Sequence, residues 1–253
     1  MEIAAGPPIG RPAAPVMHGQ RIDWTPKDVL FGVLWFLFLF LVAPIPFVLP
    51  VLAAYDSDST QVFTATLIAS MFSEVGLVVV AAAYTWRKYG GSWERLGFHM
   101  PTWATLGWAA AALLGALLWS GAYGSIVELF DINSLRAACD EQVPGSVQNN
   151  VAVLAFASFV FVTFAPICEE TFFRGFVFPG LARWGVPLAV VLSAGLFSIA
   201  HASVKAFVPI FGIGMIFALS YFKSGNIFTV VLTHFAYNSI SVGTLWVGDC
   251  QPG

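Results

Sequence analysis

The sequence predicts an all-α fold, a polytopic membrane helical bundle of about seven to eight transmembrane helices. Three observations carry that expectation. Of 253 residues, 58% are apolar and 10% are charged, with a mean hydropathy of +0.81, whereas soluble domains run at roughly 45–50% apolar and about 25% charged. The apolar residues fall in long runs, most of them long enough to cross a hydrocarbon core about 30 Å thick. Charge is sparse, scattered and sums to −3, which excludes nucleic acid as a partner and leaves the lipid bilayer as the surroundings of the chain.

Residues 1–24 hold Pro and Gly but no apolar signal core, which predicts a disordered cytoplasmic tail in place of a cleaved signal peptide. A transmembrane helical domain is expected over 25–247, followed by a short C-terminal tail at 248–253. Thr25-Pro26-Lys27-Asp28 reads as a helix start, with Thr as N-cap, Pro at the first helical position and an acid in the first turn. The first span follows over Val29 to Ala54, and Pro44, Pro46 and Pro50 must kink or fray its far end. Asp56 to Thr60 forms a turn and cap, and Gln61 to Trp86 is the second span. It contains Glu74, a lone acid at membrane depth without a partner visible in the sequence. A structural hydrogen-bonding role stands there beside a functional one.

Arg87, Lys88 and Arg95 lie in the next loop and agree with Arg11, Arg21 and Lys27 ahead of the first span. Basic residues mark the inner side, so the N-terminus is expected in the cytoplasm and the protein in the cell membrane. Trp103 to about Phe130 is the third span. Its far loop, Asp131 to Asn150, carries three acids against Arg136, as suits the outer side. The fourth helix starts near Asn150 and runs to about Arg183, with an interruption near Glu170 as the alternative that makes eight spans. Val186–Ser203, Phe207–Phe222 and Ile227–Val247 complete the seven. Neither an internal repeat nor a second domain is visible. Of three cysteines, Cys139 and Cys250 would share the outer side, where an oxidising environment would let them pair.

Chemistry concentrates in Cys168-Glu169-Glu170-Thr171-Phe172-Phe173-Arg174. Ionisable groups at such depth cost roughly 2.5–3.5 kcal/mol each on insertion scales, so they are usually paired and functional. Glu170 and Arg174 are i,i+4 neighbours with the acid on the N-terminal side, the favourable order for an ion pair. Glu169 points about 100° away. If Arg174 neutralises Glu170, one poorly solvated carboxylate is left over, the condition a general base requires. A helix-stabilising pair with a spare acid at the lipid headgroups is the plainer alternative.

Two histidines interrupt later spans, each with a neighbour one turn away: Phe197 with His201, and His234 with Asn238. At 1.5 Å per residue, His201 lies roughly 22 Å from the inner start of its helix, Glu169 roughly 20 Å from its inner end and His234 about 12–15 Å from its start. Agreement within about two turns lets the groups meet in one cavity open to the cytoplasm. Either histidine alone also reads as a packing residue bonded to a backbone carbonyl. Cys168 with a histidine would make a nucleophilic dyad. His201, His234 and a glutamate would make a hydrolytic zinc set, although HExxH is absent. A non-enzymatic immunity or scaffold protein, or a proton-coupled carrier, is the rival from another class.

These residues resemble the CAAX protease and bacteriocin-processing (CPBP) family of intramembrane glutamic endopeptidases, which includes the eukaryotic Ras-converting enzyme. Its EExxxR motif is Glu169-Glu170 with Arg174, FxxxH is Phe197 with His201, and HxxxN is His234 with Asn238. The resemblance covers Asn149 to Val247, about two fifths of the chain. It implies a membrane-embedded endopeptidase of type II CAAX prenyl endopeptidase kind. Glu169 would activate the water, Glu170 would be held by Arg174, His201 would orient the water, and His234 and Asn238 would donate to the oxyanion. It also implies no metal cofactor, with zinc as the alternative. The implied partner is a peptide or protein substrate at the membrane, prenylated in the eukaryotic relatives. The sequence carries no mark of oligomeric state.

Overall fold

Capping residues set where the helices begin. The computed structural model describes residues 16–135 and 143–247. Thr25 caps α1 (Pro26–Leu41), with the Asp28 carboxylate accepting from the Thr25 backbone N–H at 2.7 Å and its hydroxyl at 2.8 Å. The same carboxylate takes the Lys88 ammonium and, at 2.7 Å, the Tyr89 hydroxyl. One buried acid thus starts α1 and ties it to the end of the next long helix. As the three prolines predict, the first apolar run is divided, with α1 ending at Leu41 and α2 (Ile45–Ala54) beginning just after Pro44. Ser59 caps α3 (Thr60–Ala82), which continues as a wide π-type turn over Ala83–Lys88. Thr102 caps α4 (Trp103–Leu129).

A short turn of helix, α5 (Gly145–Gln148), precedes a helical rod over Val151–Trp184. The rod comprises α6 (Val151–Phe159), a π stretch Val160–Phe164, α7 (Ala165–Glu170), a second π stretch Thr171–Val177, α8 (Phe178–Leu181) and a final tight turn to Trp184. It bends its turn without separating into two pieces, so the alternative of an eighth span is not taken. Then come α9 (Val186–Ala200), α10 (Val204–Ser224), which ends on Gly225 at φ +64°, and α11 (Ile227–Val247).

Among the described residues, five passes are long and apolar enough to cross a membrane: Pro26–Ala54, Thr60–Lys88, Trp103–Leu129, Val151–Trp184 and Val204–Ser224. The protein is a multi-pass integral membrane protein. At 15 residues, α9 is shorter than the roughly 20 that a span needs. α11 falls outside the five because His234, Asn238 and several hydroxyl residues dilute its hydropathy.

Residues 16–24 correct the expected extent of the tail. Val16–Met17 (β1) pairs antiparallel with Gln20–Arg21 (β2), and the strand pair leads into a docked segment where Ile22 and Trp24 are buried. The Trp24 indole N–H donates to the Phe176 carbonyl at 2.8 Å, and the Arg183 guanidinium takes the carbonyls of Ile22, Asp23 and Trp24. An indole driven into the core, with three backbone carbonyls held by one cation, gives this segment a fixed place. Residues 1–15 and 248–253 lie outside the described residues, as do Cys139 and Cys250 and hence their expected pairing.

The core gathers around the second half of the Val151–Trp184 rod. Phe172, Phe176 and Phe178 are fully buried, packed with Trp24, Phe36, Phe197 and Phe217 from four other segments. α10 packs most closely on α9 and α4, and α11 on α4.

Candidate active site

The paired acids sit where a proline forces the helix to widen. Pro166 has no N–H to give, and the π stretch lies just ahead of it. In an i→i+5 turn the Phe161 carbonyl would receive from residue 166. The Asn238 side-chain amide supplies that donor instead, at 2.8 Å. Pro209 in α10 is handled similarly, with the Tyr123 hydroxyl reaching the Lys205 carbonyl at 3.5 Å.

Beyond Pro166 the chain presents Glu169 and Glu170 in opposite circumstances. Glu170 is fully buried, and Arg174, 1% exposed, donates from Nη1 to its Oε1 at 2.9 Å. The i,i+4 pair expected from spacing is formed, although the intervening turn is π-type. The guanidinium also donates to the Gly214 carbonyl at 3.3 Å, and lies over the Phe197 ring at 4.1 Å and the Phe217 ring at 5.3 Å. Gly214 also lets α10 lie close to α9, because a Cβ there would stand 3.1 Å from Ala194. Removing one partner of such a buried pair is costly, because the other charge is left without compensation.

His234 joins the two acids from α11. Its Nδ1 lies 2.9 Å from Glu170 Oε1, and its Nε2 lies 3.9 Å from Glu169 Oε2. A carboxylate accepts, so Nδ1 carries the proton of that contact and Nε2 is the atom aimed at Glu169. The imidazole is wedged between the rings of Phe197 (6.0 Å) and Phe217 (5.4 Å). Glu169 keeps 16% of its side chain exposed. It is the less buried of the two carboxylates, although its Oε2, the atom facing His234, is enclosed.

His201 occupies the end of α9 as its C-cap, with Ala202 turning the chain at φ +50°. Its Nδ1 donates to the Phe197 carbonyl at 2.8 Å and its ring stands edge-on to Phe197 at 4.8 Å. Nδ1 being used as donor, the unprotonated Nε2 of the neutral ring is left for a further hydrogen bond. Phe197 therefore links both histidines and the arginine. His201 and Asn238 each bond to a backbone carbonyl, and neither bonds directly to Glu169.

Two residues read differently in place. Glu74, without a partner in the sequence, is 5% exposed and within electrostatic reach of Glu169. Only the packing of α3 on α7 brings them together. Its signal in the sequence was an acid inside an apolar run, with nothing to say which helix it faced. Cys168 is buried with Glu74 and Glu169 as its charged neighbours, so no Cys/His dyad is assembled around it. Among the described residues no three His, Cys, Asp or Glu side chains form a group that would hold a metal ion.

Residues 151–240 match a family model described as Rce1-like, type II CAAX prenyl endopeptidase Rce1-like. No curated protein and no solved structure matches the chain. The matched segment contains all three motifs in the order the resemblance requires. It carries the ion pair, both histidines and the partly exposed Glu169, and it is similar to the Rce1-like type II CAAX prenyl endopeptidases.

Proposed function

We propose that the protein hydrolyses a peptide bond of a membrane-associated substrate with a water activated by Glu169. The observation that supports this most directly is the unequal treatment of two adjacent acids: Glu170 is neutralised by Arg174, while Glu169 remains partly exposed opposite His234 Nε2. The 3.9 Å between His234 Nε2 and Glu169 Oε2 is longer than a direct hydrogen bond, so the two are near each other without being bonded to each other.

In the proposed step Glu169 takes a proton from the water as its oxygen bonds to the scissile carbonyl carbon. When the carbon–nitrogen bond breaks, Glu169 returns that proton to the leaving amine. His201, through its free Nε2, helps to orient the water. His234 Nε2, when it carries a proton, donates to the oxyanion together with Asn238. One such donor is worth about 3–4 kcal/mol. Asn238 reaches the oxyanion by turning its amide from the Phe161 carbonyl. The reaction uses side chains alone, without a metal.

The substrate in this reading is a membrane peptide or a protein end of the CAAX type, reached from the cytoplasmic side of the cell membrane. The test is cleavage of an internally quenched peptide bearing a farnesylated cysteine near its C-terminus, and of its unprenylated counterpart, by detergent-purified protein. Glu169→Gln should abolish turnover while leaving the protein folded and membrane-inserted. Turnover by Glu169→Gln at the rate of the unaltered protein would overturn the assignment.

A further inference from the structure

Glu74 is the buried acid that the proposed mechanism does not use. It lies on α3, where the adjacent Ser73 is satisfied by the carbonyls of Leu39 (2.7 Å) and Ala69 (3.2 Å). Glu74 has no such partner. Its Oε2 is enclosed without a hydrogen bond, and so is Glu169 Oε2 on the helix packed against it. The groups that face Glu74 electrostatically are Glu169 and the Cys168 thiol. The nearby cation, Arg174, is engaged by Glu170. Two poorly solvated carboxyl groups brought near each other without a cation to pair with repel each other if both are ionised, and are held stably when one proton lies between them.

We propose that Glu74 and Glu169 form a carboxyl–carboxylate pair that shares one proton, with Glu74 acting as a positioning residue for the catalytic base. The inference rests on the reading of Glu169 as that base. Glu74 does not touch the substrate in it. During attack the water oxygen bonds to the carbonyl carbon, the water proton goes to Glu169, and the proton held by Glu74 stays there as a hydrogen-bond donor that fixes the Glu169 carboxylate. Collapse of the intermediate returns the Glu169 proton to the leaving nitrogen, and the Glu74–Glu169 pair is as it began. A lone acid on α3 is thereby explained by an acid four elements later in the chain.

Two measurements test it. Infrared difference spectra of the purified protein should show a protonated-carboxyl C=O stretching band that disappears in Glu74→Gln and moves in Glu169→Gln. This readout does not require turnover, so it stands even if the assignment of Glu169 as base fails. With the farnesylated quenched peptide, Glu74→Leu should lower kcat by about 10- to 100-fold, the range seen when a partner that orients a reacting group is removed, with KM unchanged. Glu74→Gln, whose amide still donates to Glu169, should restore most of that loss. Absence of the infrared band in the unaltered protein, or an unchanged kcat in Glu74→Leu, would overturn the proposal. Loss of turnover in Glu169→Gln alongside either of those results would leave the base assignment intact.

Discussion

Two apolar helical stretches of this chain have opposite fates. Along α2, Ile45–Ala54, no residue is buried, and Phe47 is 73% exposed. From Glu170 to Leu181 every residue is buried, including an arginine and a glutamate. Both stretches would be read as membrane hydrocarbon by composition. The difference is that the second carries a charge pair, which lipid tolerates poorly, and closely spaced aromatic rings that other helices can enclose. Helices pack around the stretch that needs shelter from lipid and leave to lipid the stretch that needs none.

The largest test of that contrast is Arg174→Ala, which leaves the Glu170 charge buried and unpaired. It should destabilise the detergent-solubilised protein by about 3–5 kcal/mol, read from its denaturant unfolding midpoint. A loss below about 1 kcal/mol, the worth of an exposed pair, would mean that the site is wetter than its burial indicates. Next comes Gly180→Ala. A Cβ at Gly180 would stand 2.4 Å from Val29 and 2.7 Å from the Trp24 ring, both in the core. Overpacking of this kind costs about 1–3 kcal/mol, and a matching fall in thermal unfolding temperature should accompany it. A neutral result would show that the docked segment at 16–24 yields easily. The smallest effect belongs to α2, where Phe47→Ala should shift stability by no more than about 0.5 kcal/mol by the same unfolding measurement. A larger loss would reveal packing on a surface that the fold leaves open to lipid.

Local signals are legible in the sequence where they rest on short-range chemistry. The Thr25 cap with Asp28, the break at the proline cluster before α2 and the Glu170–Arg174 pair each depend on residues within a few positions of one another. The docking of residues 16–24 is not legible in the sequence, because Trp24 is recognisable as an anchor only once Phe176, 152 positions away, offers its carbonyl. Glu74 has no partner visible in the sequence for the same reason. Asn238 stands out in the sequence through its place in a motif, whereas its contact, the carbonyl across from Pro166, exists only where the helix widens.

By itself the sequence determined that the chain is a membrane-embedded helical protein, where most helices start and stop, and which charged residues must be explained. Those follow from hydropathy, capping and i,i+4 spacing, all of which act within one or two turns. Tertiary structure alone decided which faces meet lipid, that His234 spans both glutamates, and that α3, which carries Glu74, packs on the helix that carries Glu169. Such neighbours are chosen by how helices pack, and packing energy is shared among side chains far apart in the chain.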